Sequence, residues 1–422
     1  MQKLIILCCA VIITNSCLAQ RQQSYEDAYR SYLNFLSTGR SSSLDSAYSV
    51  LKERNRFGLD KTLPEKFVYN IVNLEKIKLD LRVDRKNPQL CNIAQNQIQM
   101  LWASLVNQEL RTFGGYSFST SPDVMKLQTQ SYYWYDRFLN NIIDFGLYFD
   151  NPSVLTPIAI NATRRILTYQ PIQDTSGTEN YITQEGILYW TDFYEMIDVE
   201  YPNFCFAASL WRGEYPDTTS FLSADSLTKE RMSAHVSTAH YNSALACARS
   251  NIGKYLATAA LGFNLLQEAR LADNNFSRER NNRDAIYYFE EALSIKPNLQ
   301  QEIQKYLTKA SPDTSLTRLR LLRWKYNSDI VTQAYMNALE SYAQALEGSN
   351  KLLDAVWVWE KLWHFEDLRL SERERFAREI FPRTTKALHL ADELRIADVQ
   401  LRRIQTLHHS VENEISKLRS LK

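Results

Sequence analysis

The sequence predicts an all-α fold, with helical hairpins stacked one after another along the chain. Three observations predict it. Glycine and proline are scarce, at 11 each, so 22 of 422 residues or about 5%, against about 12% in ordinary proteins. Apolar residues recur every three or four positions over most of the length, the period that gives a helix one buried face. In the C-terminal half the pattern also repeats at a fixed offset, as stacked hairpins require. So few turn residues exclude collagen-like and linker-dominated chains and count against turn-dense β-sandwiches. Hydrophobic residues at 45% and charged residues at 23% are ordinary globular values, which argues against long disorder. A formal charge of +1 gives no electrostatic case for nucleic-acid binding.

The first twenty residues read as an address. Lys3 precedes an unbroken apolar run over residues 4–13, about half the length of a membrane-spanning helix. Cys17-Leu18-Ala19 before Gln20 offers the small residues that a signal peptidase reads. The expectation is a signal peptide at 1–19, cut after Ala19, and a protein exported to the periplasm or cell envelope. The alternative is acylation at Cys17, because Asn15-Ser16-Cys17 resembles a loose lipobox; Thr14 stands where that motif usually has Leu. No other window is long and apolar enough for a transmembrane helix.

Past residue 19 the cysteines are Cys91, Cys205 and Cys247. An odd, widely spaced set is no disulfide framework, and no C-x-x-C remains for zinc or redox chemistry. At most one bridge can form, and three buried thiols are the expectation. The sequons at Asn161 and Asn275 matter only in a eukaryotic secretory pathway.

In chain order, residues 20–150 read as an N-terminal helical region. Ser24 with Asp27, and Ser42 with Asp45, give two capping-box-like starts, so helices are expected at 24–36 and 43–53 around a turn at 37–40. Two more follow at 64–81 and 88–112. Gly114-Gly115 and the Ser-rich run to Pro122 predict a loop. Trp134, Phe138, Ile142, Phe145 and Phe149 restore helical spacing over 123–150. Residues 151–228 are less regular, with Pro152, Pro157, Pro171, Pro202 and Pro216 spread through them and polar loops at 173–180 and 217–228. A binding region would most naturally sit there.

Helical repetition occupies 229–382. Ala285, Phe289 and Ala292 are followed by Pro297, which is expected to close their helix. Seventy residues on, Ala355, Trp359 and Leu362 repeat the spacing, and Ala343 supplies a small residue twelve before Ala355. Two antiparallel helices approach closely only where side chains are small, and an aromatic then plugs the groove to the next hairpin. These positions resemble the tetratricopeptide repeat, with the match confined to about residues 252–365. The resemblance implies an α-α superhelix, or solenoid, that binds a protein or peptide and performs no chemistry of its own. A polar turn is expected at 273–282, and two helices without signature residues at 299–327.

Beyond Pro382 one long helix, 383–422, is expected. Ala387, Leu390, Leu394, Ala397, Leu401, Ile404, His408, Val411, Ile415 and Leu418 are spaced alternately by three and four, a heptad seam. Such a seam either seals the end of the solenoid or meets another helix. Its distal part, Ile404, His408, Val411, Ile415 and Leu418, is therefore a candidate interaction surface and a route to self-association.

Searches for catalytic motifs return nothing. Phosphate loops, dinucleotide fingerprints, nucleophile elbows and H-E-x-x-H are absent from the sequence. His235 and His240 are five apart with no carboxylate between, the wrong spacing for two ligands on one helix face. No catalytic residue, metal or cofactor is expected. The richest polar-aromatic stretch is 181–206, where Glu185, Asp192, Glu195, Asp198 and Glu200 lie among Tyr189, Trp190, Phe193, Tyr194 and Tyr201. Carboxylates beside flat rings are what a sugar site uses; an amphipathic helix with rings inward and acids outward uses the same residues. Tyr189 and Trp190 join the candidate interaction surface. The resulting expectation is an exported, non-catalytic interaction scaffold with a protein or peptide partner and no nucleic acid. The alternative is a glycan-binding envelope protein or an α/α-barrel glycosidase.

Overall fold

A computed structural model describes residues 25, 27–56, 63–84, 87–113, 135–149, 152–167, 184–199, 203–217, 224–309, 328–365, 368–394 and 397–420. Among these residues the chain is all α-helical, without a strand. The helices are α1 (Ser41–Arg56), α2 (Leu63–Val83), α3 (Pro88–Phe113), a 3-10 turn at Pro152–Leu155, α4 (Thr156–Ile166), α5 (Gln184–Val199) and α6 (Phe204–Glu214). Then come α7 (Ser226–Cys247), α8 (Asn251–Leu271), α9 (Asn275–Lys309), α10 (Ser328–Gly348), α11 (Leu352–Trp363), α12 (Leu370–Leu394) and α13 (Asp398–Ser420). Residues 27–38 and 135–145 are helical as well. The signal-peptide expectation at 1–19, the loop at 114–122 and the loop at 173–180 lie outside the described residues. No described helix is long and apolar enough to cross a membrane.

The chain divides into two compact units, 1–233 with 246–248 and 234–245 with 249–422. The first unit begins as the sequence predicts. Gly39 takes φ 69°, a left-handed backbone that glycine adopts without a side-chain clash, and its N–H closes the preceding helix onto Phe35. Helix α1 buries Leu44, Ala47 and Leu51 at helical spacing. In this unit α1 packs on α2, α2 on α3, α4 on α5 and α5 on α6. Phe138, Leu139, Ile142, Ile143 and Phe145, all from 135–145, are fully buried.

In the second unit each helix from α8 to α13 packs on its successor, so α8/α9, α10/α11 and α12/α13 form three successive hairpins. The turn between α10 and α11 shows how one is closed. Asn350 takes φ 59°, a conformation that Asn tolerates best after Gly. Around it the N–H of Lys351 reaches Leu346 O and that of Asn350 reaches Glu347 O, satisfying the last helical carbonyls.

Three expectations are corrected here. The polar turn at 273–282 is only three residues long, because Asn274 caps α9: its side chain accepts from the Ser277 N–H at 2.8 Å. Helix α9 does not stop at Pro297 but continues to Lys309; proline's φ is compatible with a helix, and the lost hydrogen bond and the crowded carbonyl four residues back disfavour the continuation without forbidding it. The long helix at 383–422 is two. Helix α12 starts at Leu370 and passes through Pro382, and α13 begins afresh at Asp398. Near that proline the side chain of Arg383 donates to Glu379 O at 2.7 Å, and the hydroxyls of Thr384 and Thr385 donate to Phe381 O at 2.9 Å. These contacts occupy carbonyls in the turn that the proline disturbs. The seam read as continuous because three-and-four spacing carries across a short reversal without slipping.

Candidate functional site

The repeat positions whose side chains the structure describes lie in the interior. Ala285, Phe289, Ala292, Ala343, Ala355, Trp359 and Leu362 are all fully buried; the side chain of Pro297 lies outside the described residues. A Cβ on Gly262 would stand 2.6 Å from the Phe289 ring, so Gly262 is the small residue that admits this plug. The motif positions did not point to it; a glycine inside a helical pattern was the available signal. Trp359 donates to Glu347 Oε1 at 2.8 Å, and the guanidinium of Arg383 lies 4.8 Å from its ring centre.

Charge is distributed on a regular plan across these hairpins. Glu340 pairs with Arg375 and Glu347 with Arg383, 35 and 36 residues apart. Glu279 pairs with Lys351 and Glu290 with Lys361, 72 and 71 apart. One repeat length, or two, separates each pair; three of them join a helix to its counterpart in the next hairpin, and Lys351 reaches Glu279 from the turn just before α11.

The C-terminal candidates are mostly inside. Ile404, Leu407 and Val411 are buried, on a helix that packs against α12, while His408, Ile415 and Leu418 are half-buried. The His408 ring stacks on Phe381 at 4.8 Å, and its Nδ1 lies 2.9 Å from the Thr384 hydroxyl. The exposed positions of α13 beyond its first turn, including Arg402, Gln405, Thr406, His409, Glu412, Asn413 and Ser416, are polar, while Val399 at its start is exposed and apolar. Of the two roles open to the seam, sealing the end of the array is the one that this packing on α12 accommodates, as a terminal repeat does.

The first unit holds the other candidate residues. The side chains of Glu185, Asp192, Glu195, Asp198 and Glu200 lie outside the described residues. Trp190 is fully buried and Tyr189 half-buried on α5. Both pack against Trp211 of α6, Tyr189 edge-on at 4.3 Å and Trp190 stacked at 5.9 Å. Tyr189 also meets Tyr215 at 4.8 Å. The polar ends of these rings are aimed at one helix: the Trp190 indole donates to Asp136 Oδ1 at 2.9 Å, and the Tyr189 hydroxyl to Asn140 Oδ1 at 3.2 Å.

Two turns further along that helix is a buried charge cluster that the sequence reading did not find. Asp144 accepts from Lys78 at 2.8 Å and from Arg212 at 2.5 Å. Lys78 also pairs with Glu75 at 2.6 Å, and Glu75 accepts from the Asn141 amide at 3.1 Å. A second Arg212 nitrogen donates to Asn140 O at 3.1 Å. Burial works to raise Asp144, but Arg212 and Lys78 outweigh it and hold the carboxyl below its ordinary range. Burial likewise works to lower Lys78, and Asp144 with Glu75 raises it instead. Asp136 behaves oppositely. Burial dominates there and raises its pKa, against the weaker pull of Arg137 and the Trp190 indole. The cluster is two cations and two anions with closed partners, an arrangement that fixes α2, 135–145 and α6 together rather than one that offers a reactive group.

Two further findings concern chemistry. Cys205 and Cys247 form a disulfide joining the first turn of α6 to the end of α7, so the expectation of three buried thiols is corrected. The pairing was invisible because 42 residues separate the two. Asn203 makes the same junction, capping α6 through Phe206 N and donating to Cys247 O. Cys91 is half-buried and outside the disulfide, its thiol lying 3.8 Å from Tyr148 O. Among the described residues no group of three or more His, Cys, Asp or Glu could hold a metal. In comparisons with known proteins, no family model, no curated protein and no solved structure matches the chain.

Proposed function

We propose that the protein is an exported, non-catalytic interaction scaffold whose second unit is a short array of tetratricopeptide-like hairpins. The observation that carries this reading is the succession of three hairpins, with buried alanine and aromatic plugs and ion pairs at one or two repeat lengths. Arrays of this kind expose a long side-chain surface while keeping their reactive groups few. Export is supported by the Cys205–Cys247 bridge, since disulfides persist chiefly outside the cytosol. Protein isolated from its native source should begin at Gln20, keep that bridge and have Cys91 as the one thiol that alkylates without reduction. A diacylglyceryl group on Cys17 would make it a surface lipoprotein, and three alkylatable thiols would count against export.

The direct test of the scaffold is crosslinking in the native envelope followed by identification of what is joined. A recurring protein partner supports the reading, and an attached glycan reverses it. One observation favours the glycan alternative: Tyr189 and Tyr215 keep partial exposure next to Asn140. Against it, the same rings are packed edge-on to one another and to Trp211, leaving little flat face for a sugar.

A further inference from the structure

Helix α9 is covered by α8 and by α10, and one strip of its surface is left to solvent. Such a strip is ordinarily polar throughout. Here it reads Phe276, Arg280, Arg283, Tyr287, with Glu291 one turn further on, all exposed. Phe276 is 74% exposed and Tyr287 is 56% exposed. Four positions spaced 4, 3, 4 span about 16 Å at the helical rise, and two guanidinium groups lie between the two rings.

The charges on this strip are under-compensated. Arg280 makes no ion pair with any described residue, and Arg283 meets Asp284 only at 3.5 Å across an exposed surface. The acids that could have neutralised them are engaged elsewhere, Glu279 by Lys351 and Glu290 by Lys361. An aromatic, two arginines (Arg280 unpaired, Arg283 met only by Asp284 at 3.5 Å) and an aromatic along one helical strip are complementary to a second helix with apolar residues about three turns apart and carboxylates between. We infer that α9 is the docking face for an acidic amphipathic helix of a partner protein. Phe276 and Tyr287 are the apolar anchors, and Arg280 with Arg283 selects the sign of charge. Glu291 at the far end gives the strip polarity, so a partner with a basic residue there binds in one direction only. Aromatic and arginine side chains are the residue types that most often dominate such contacts. The inference rests on the scaffold reading and names the chemistry of its partner.

The test uses the full chain and a synthetic stapled helical peptide with Leu facing the two rings and Glu facing the two arginines, read by fluorescence anisotropy. A matched peptide with Lys in place of Glu is the control. The Glu peptide should bind and the Lys peptide should not. Phe276→Ser with Tyr287→Ser, and Arg280→Glu with Arg283→Glu, should each weaken the Glu peptide by about tenfold or more. The charge-reversed protein should now accept the Lys peptide. Because all four side chains are exposed, thermal melts of these variants should match the parent. Equal affinity for both peptides, or binding indifferent to the variants, overturns the inference. So does a sulfated polysaccharide that binds tightly and is lost with the arginines alone, since the face would then be a general polyanion surface. Failure here, with a protein crosslinked at another face, leaves the scaffold reading standing.

Discussion

The two units solve the same problem with opposite uses of charge. In the first, Lys78, Glu75, Asp144 and Arg212 are all within a tenth of full burial, and a disulfide ties α6 to α7. In the second, the interior is mostly alanine, leucine and aromatic rings, and ion pairs such as Arg375–Glu340 and Lys351–Glu279 keep the cation near half exposure, at 46% and 47%, while the acid is largely covered. A repeat array can afford the second arrangement because each hairpin meets only its neighbours, so one packing solution is reused. The first unit has no such repetition, and buried ion pairs tell one arrangement of its helices from another. The difference teaches where substitutions will hurt: at partnered charge in the first unit, at shape in the second.

The largest effect should come from breaking the buried cluster. Asp144→Asn leaves Lys78 and Arg212 short of an anion in a place where water cannot help, and should cost about 3–5 kcal/mol. Arg212→Met should cost a similar amount by stranding Asp144. Urea denaturation measures both. The sign of the pH dependence follows from the direction of the Asp144 shift. Its folded pKa is lowered, so its stabilisation is present above the unfolded value near 4 and is lost as pH falls through the folded one. The parent should therefore lose stability in acid more steeply than Asp144→Asn does. A flat parent profile would mean that the cluster is not coupled to folding.

Next come the plugs. Phe289→Ala or Trp359→Ala should cost about 3–5 kcal/mol through the cavity left behind, and Ala285→Leu about 1–3 kcal/mol through overpacking. Trp359 should sit at the upper end, because Glu347 would lose its indole donor. Melts of these variants that match the parent would show that the second unit is not held by repeat packing.

How much was legible follows from the same contrast. Ala285, Phe289, Ala355 and Trp359 could be read because helical spacing and a fixed offset are local properties of the sequence. The turn at Gly39 was legible for the same reason. The Asp144 cluster was not: its members come from 66 and 68 residues away, and a lone Lys or Asp in a helical pattern reads as solvent-facing. The break between α12, ending at Leu394, and α13, starting at Asp398, was hidden because the seam kept its period across it. The candidate surfaces were the least legible part. Ile404 and Val411 were read as available and are buried, whereas Phe276 and Arg280 lay in a segment read as a polar turn.

A smaller effect of opposite sign is expected at Asp136. Its folded pKa is raised, chiefly by burial, so the protonated form is the one the fold prefers. The stabilisation it gives is fully present below the unfolded pKa and is lost as pH rises through the folded one. Asp136→Asn removes the buried charge while keeping an oxygen for the Trp190 indole. The variant should be modestly more stable than the parent at neutral pH, with the advantage shrinking as the pH falls. Loss of stability at neutral pH would mean that Arg137 and the indole compensate the charge fully. The two carboxyls then would not differ in the way that their surroundings imply.

The smallest effect should be at the rim, and it completes the contrast between the units. Arg375 holds Glu340 with both terminal nitrogens, at 2.9 and 3.0 Å, and its guanidinium lies 4.3 Å from the Phe376 ring centre. The geometry is as good as that of the buried cluster. The surroundings differ, because water reaches the pair and would solvate either charge left alone. Exposed pairs of this kind contribute about 0–1 kcal/mol, so Arg375→Ala should cost no more than that, and part of the loss should be packing against the ring rather than charge. A double-mutant cycle with Glu340→Gln separates the two, and its coupling term should shrink further at high salt. The Asp144 cluster, closed to ions, should show no such salt dependence. If the rim pair proved as costly as the buried one, geometry rather than burial would set the worth of these charges, and the division of labour between the units would fail.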